Sequence, residues 1–133
     1  MSIKKTLVTL LLPGIIILGL ASKLKAQQAN ELYEAQKIEQ IFETNNWSGS
    51  LGGIGHDESE DNSYKICKFN DKIATEISIR YLQEGDLSER KTAVYALGCL
   101  NGKISHAREI LSAYYSEKDE WTKNQLFGLV KDL

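Results

Sequence analysis

From Asn30 onward the apolar positions of this chain recur every three or four residues, the spacing that gathers them on one face of an α-helix. Leu32, Ala35, Ile38, Ile41 and Phe42 make the first stripe, with Glu31, Glu34, Lys37, Glu39 and Gln40 between them, which predicts an amphipathic helix over 30–42. Periodicity is lost across Thr44–Tyr64 and returns at Asn70. Asn70 suits the N-cap of a helix that buries Ile73, Ala74, Ile77 and Tyr81 and stops at Gly85. Asp86-Leu87-Ser88-Glu89 then has capping-box spacing, and the helix it opens buries Ala93, Ala96, Leu97 and Leu100 before Asn101-Gly102 ends it. A turn of about three residues between two helices folds them antiparallel.

Ala74–Leu100 recurs without a gap at Ala107–Leu133, at an offset of 33 residues. Ala74/Ala107, Glu76/Glu109, Ile77/Ile110, Tyr81/Tyr114, Glu84/Glu117, Asp86/Asp119 and Leu100/Leu133 are identical, against about one or two matches expected by chance. In the second copy a helix opens near Ser105 with Ile104, Ala107, Ile110, Leu111 and Tyr114 inward. Ser116–Asp119 takes the turn, and Trp121, Leu126, Leu129, Val130 and Leu133 complete the following helix. The predicted fold is therefore all-α: two tandem antiparallel helical hairpins over 67–133, α-solenoid-like, capped by an amphipathic helix at 27–43. Two units fall short of the three or so that such an array needs, so an added apolar cap is expected.

The intervening 44–66 reads as a loop. It collects Gly49, Gly52, Gly53, Gly55 and the acidic run Asp57-Glu58-Ser59-Glu60-Asp61, too little apolar area to offset the entropy of ordering. Trp47, Leu51 and Ile54 are the side chains that would pin it.

The first 26 residues have another character. Lys4 and Lys5 precede fifteen largely apolar residues, Leu7–Ala21, and a polar exit Ser22-Lys23-Leu24-Lys25-Ala26. That is the layout of a secretory signal, interrupted by Pro13-Gly14 and short of the roughly 20 residues that span a bilayer. A cleaved signal, an uncleaved membrane anchor and a buried core helix are the three readings, and the first two export the rest of the chain. Lys23 and Lys25 oppose that export. The expected location is periplasmic or secreted, or membrane-anchored and facing away from the cytoplasm, with membrane contact only through 1–26.

Charge sharpens the choice of partner. Four of the 16 basic residues lie in those 26 positions and none of the 18 acidic ones does, so the remainder carries 12 basic against 18 acidic side chains, net −6. Nucleic acid is disfavoured, because its binding needs clustered Lys and Arg. A protein with a basic surface is favoured.

Thr92-Ala93-Val94-Tyr95-Ala96-Leu97-Gly98, following Arg90 and an acidic turn, resembles the second-helix signature of HEAT-like repeats of the short, phycobilisome-lyase type. The second copy departs from it: its second helix carries Phe127-Gly128-Leu129 and no Ala-Leu-Gly. The signatures of tetratricopeptide and ankyrin units are absent. The resemblance implies a protein-binding scaffold; the lyase activity in the family label is not implied. Its exposed inner-helix positions would be Arg90, Tyr95, Lys123 and Asn124, with Trp47 the anchor if the loop binds.

Little else suggests chemistry. Cys67 and Cys99, the only cysteines, fall at the start of the first hairpin helix and the end of the second. A disulfide there would close a 33-residue loop and stabilise by roughly 3–4 kcal/mol. Two buried thiols, or a redox or metal role, are the alternatives. His56 beside the acidic run offers one nitrogen and several oxygens to a cation but lacks the alternation of a calcium loop, and His106 has no second ligand four residues on. Gly49–Gly55 lacks a phosphate-binding Lys, and Ser48, Ser50 and Ser59 have no nucleophile elbow. No enzyme activity, cofactor or metal is expected. The rivals to a scaffold are an exported inhibitor, similar in outline to periplasmic immunity proteins that neutralise toxins, and a metal-dependent activity at His56.

Overall fold

The computed structural model describes residues 14–44 and 58–133, with side chains from residue 20 onward, and among them all regular structure is helical. In chain order these are α1 (Gly14–Glu43), α2 (Glu58–Ile66), α3 (Asp71–Glu84), α4 (Leu87–Cys99), a 3-10 segment (Asn101–His106), α5 (Ala107–Ser116) and α6 (Glu120–Lys131). The chain divides into two units, Met1–Tyr33 and Glu34–Leu133. Among the described residues no helix is long and apolar enough to cross a membrane. Trp47, His56 and the glycine cluster 49–55 lie outside the described residues, as does the start of the leader.

Within the larger unit, α3 packs against α4, α5 against α6, α3 against α5, and α4 against both α6 and α2. Local chemistry sets the ends. The Asn70 side chain accepts the Ile73 N–H, and the Gly85 N–H closes α3 on the Tyr81 carbonyl. A Cβ at Gly85 would stand 2.5 Å from the Tyr81 oxygen, so the turn admits glycine at that point. Asp86 and Glu89 form both halves of a capping box, at 2.8 and 3.0 Å. Thirty-three positions later Asp119 does the same work for α6, accepting the Thr122 N–H and hydroxyl at 2.9 and 2.7 Å. Each such cap contributes about 1 kcal/mol by satisfying an amide that the helix leaves unpaired.

The core is continuous. Ile38 and Phe42 at the end of α1 join Ile66, Ala74, Ile77, Leu82, Ala93, Leu97, Leu100, Ile110, Leu126 and Leu129. Phe42 stacks on Tyr81 with ring centroids 4.2 Å apart, and Glu39 meets Arg80 at 2.6 Å. Burying one such side chain is worth roughly 1.5–3 kcal/mol, so the end of α1 is held by Ile38 and Phe42 rather than by its exposed ion pair.

Three expectations need correction. Residues 58–66 are helix, not loop. Glu58, Glu60 and Asp61 form its first turn, where carboxylates suit the helix dipole, and its buried face is Ser59, Ser63 and Ile66. Serines on that face let α2 approach α4 closely while hiding it from a search for apolar periodicity. The second copy does not start as a regular α-helix at Ser105. A 3-10 segment comes first, its Asn101 and Gly102 N–H groups held by the Asp71 carboxylate at 2.8 and 2.7 Å. Finally, Leu32, Ile104, Leu111 and Leu133, expected inward, are exposed.

Cys67 and Cys99 form a disulfide, with Cα atoms 6.2 Å apart. It ties the segment just after α2 to the last residue of α4.

Candidate protein-binding surface

Two concavities lie where α3 and α4 meet α5 and α6. The larger, of about 510 Å³, is lined by Leu82, Gln83, Gly85, Ser112, Ser116 and the Arg90–Glu117 pair. The Arg90 guanidinium donates to Glu117 through Nε (2.9 Å) and Nη2 (3.0 Å), a bidentate arrangement, and through Nη1 to the Gly85 carbonyl (3.2 Å). Glu117 also accepts the Lys118 and Asp119 N–H groups at 3.1 and 3.0 Å. Burial by itself would raise the Glu117 carboxyl, but the Arg90 hydrogen bonds and these two amides outweigh it and hold the group below the usual carboxylate range. The same hydrogen bonds raise Arg90 against the opposing cost of desolvation. The Asp119 carboxyl is lowered by the Thr122 hydroxyl and then by its N–H. All three guanidinium nitrogens being engaged, Arg90 works as a clamp across the joint between the helix pairs.

The smaller groove, of about 210 Å³, lies between α4 and α6 and is lined by Val94, Tyr95, Gly98, Gln125, Gly128 and Leu129. Glycines at 98 and 128 leave it open, since a Cβ at either would meet nothing within 4 Å. Tyr95 tilts against Trp121 with centroids 5.3 Å apart, and Lys91 Nζ lies 5.0 Å over the ring of the same indole.

The residues singled out from sequence are thus distributed rather than convergent. Arg90 is in the larger cleft and Tyr95 in the groove. Lys123 rests 5.3 Å over the Tyr114 ring and Asn124 is exposed on α6. Trp47 lies outside the described residues. Glu117 was missed as a functional partner of Arg90, although its identity with Glu84 at the 33-residue offset marked the position. Among the described residues no three His, Cys, Asp or Glu side chains are grouped as a metal site would require. The arrangement offers grooves, rings and paired charges.

No protein-family model matches the chain, and neither does any curated protein or solved structure.

Proposed function

We propose that this chain is an exported helical-repeat scaffold that binds another protein and performs no chemistry of its own. The observation that carries the reading is the coincidence between the 33-residue register and structural role. Asp86 and Asp119 cap equivalent helices, Ile77 and Ile110 are both buried, and the helices of one copy pack on those of the other as α3 on α5 and α4 on α6. Contacts of that kind are what stacked HEAT-like hairpins make, each unit burying its face on the next and presenting its outer positions to a partner. The disulfide supports an oxidising compartment outside the cytoplasm, periplasmic or secreted. The net charge of −6 after residue 26 favours a basic surface for whatever meets the acidic side of the molecule.

A second reading, an inhibitor of immunity type, gains support from α2, which presents exposed Glu58 and Glu60 at its start as a plug for a basic site would. A metal-dependent role at His56 draws support from the neighbouring acidic run alone. In-cell cross-linking of the tagged full chain, followed by reconstitution of each cross-linked pair from purified proteins, tests the scaffold reading. A stoichiometric protein complex is expected; a chain that cross-links to no protein would refute it.

A further inference from the structure

The geometry points to the outer face of α5 and α6 as a docking site for a partner's amphipathic helix whose apolar stripe is flanked by carboxylates. This rests on the scaffold reading and adds the partner's chemistry to it. In the first copy Ser78, Leu82 and Val94 are 0%, 2% and 4% exposed. Their counterparts 33 residues on are Leu111, Tyr115 and Phe127, all larger, and these are 39%, 73% and 48% exposed. Positions buried in the first hairpin are therefore enlarged and uncovered in the second, where no further unit follows among the described residues. Tyr114, with ring centroids 5.3 Å from Tyr115 and 6.1 Å from Phe127, joins α5 and α6 into one aromatic patch. Contiguous exposed apolar surface of this kind on a small protein marks an interaction site.

The rim decides the occupant. Arg108 lies three and seven residues before Leu111 and Tyr115, on the same side of α5, and Lys123 and Lys131 lie four residues either side of Phe127. Lys131 sits 5.4 Å over the Phe127 ring and Lys123 5.3 Å over Tyr114. Glu120 is the one carboxylate on that side of α6. The local charge is therefore opposite to that of the molecule. Lys123 is also the register counterpart of Arg90, which the neighbouring helix pair receives with Glu117, and among the described residues Lys123 meets no carboxylate. A carboxylate supplied from outside completes the same joint. The chain shows this mode elsewhere: α1 lays Phe42 on Tyr81 and Glu39 on Arg80. A second copy of this face is a poor occupant, because it would set Lys123 and Lys131 against their own kind.

The test is a library of displayed helical peptides with a fixed leucine stripe and flanking positions randomised among Glu, Gln and Lys, panned on the oxidised full chain. Glu should be enriched at the flanks. The all-Glu peptide should lose about tenfold or more in affinity on Phe127→Asp and on Lys123→Glu with Lys131→Glu, and the latter variant should prefer the all-Lys peptide. Phe127 and Lys131 are exposed and Lys123 is half-buried, and an unchanged melting curve for each variant confirms the fold. Enrichment of Lys, failure of every peptide to bind, or dimerisation of the chain that Phe127→Asp abolishes would overturn the inference. Peptides that bind but ignore all three substitutions would overturn this face while leaving the scaffold reading intact; the cross-linking experiment tests that reading separately.

Discussion

Replacing Glu117 by Ala should be among the most damaging single changes outside the apolar core. The side chain is 4% exposed and accepts four hydrogen bonds, two from Arg90 and two from the Lys118 and Asp119 amides. Its removal strands a half-buried guanidinium and leaves two turn amides without an acceptor. Breaking a fully buried pair costs about 3–5 kcal/mol, and because Arg90 retains 27% exposure, water recovers part of that, leaving about 2–4 kcal/mol. For a unit of this size each kcal/mol moves the melting temperature by about 4–8 °C, so a fall of roughly 8–32 °C is expected by circular dichroism. A double-mutant cycle with Arg90→Ala isolates the pair, and the coupling should exceed about 1.5 kcal/mol, since truncating both leaves no orphaned charge. A loss under about 0.5 kcal/mol for Glu117→Ala, or additivity in the cycle, would refute the clamp.

Other consequences follow from the same contacts. Because the Glu117 and Asp119 carboxyls are lowered in the folded chain, the unfolded chain binds more protons as acid is added. Their stabilisation is present above the ordinary carboxylate range and is lost as pH falls through the folded values; urea titrations should show stability declining below about pH 5, less steeply for Glu117→Gln with Asp119→Asn. Converting Cys67 and Cys99 to Ser should cost about 3–4 kcal/mol in the same assay, and intact mass without reductant should be lower by the two thiol hydrogens. Gly85→Ala should destabilise by about 1–3 kcal/mol because its Cβ meets the Tyr81 carbonyl, whereas Gly128→Ala, in open space within α6, should stabilise by about 0.5–1 kcal/mol.

What could be seen in the sequence was the information carried locally. Asn70 and the Asp86/Glu89 box announced helix starts because a cap needs residues only three apart. The cysteine pair was legible because folding a hairpin about its turn brings its two outer ends together. What escaped depends on distant partners. The hold of Asp71 on Asn101 and Gly102, and of Glu117 on Arg90, spans about thirty residues and leaves no periodic trace. Helix α2 went unrecognised because two of the three residues on its buried face are serines. Leu111 and Ile104 fall on the apolar side of the predicted helix, yet burial needs a neighbour to do the covering, and both are exposed, Leu111 on α5 and Ile104 in the 3-10 segment before it. Of the exposed patch on α5 and α6, the sequence reading places only Leu111, and places it inward; Tyr115 and Phe127 are uncovered because no neighbour among the described residues packs on them.

The proposed scaffold requires the two helix pairs, 71–99 and 107–131, to lie against each other. Nuclear Overhauser spectroscopy of the oxidised full chain tests this most directly, through the rings of Tyr95 on α4 and Trp121 on α6, whose centroids are 5.3 Å apart, and the Lys91 side chain 5.0 Å over the same indole. Cross-peaks from Trp121 to both Tyr95 and Lys91 are predicted. A spectrum with helical amide connectivities in both halves and no cross-peak between 71–99 and 107–131 would contradict it.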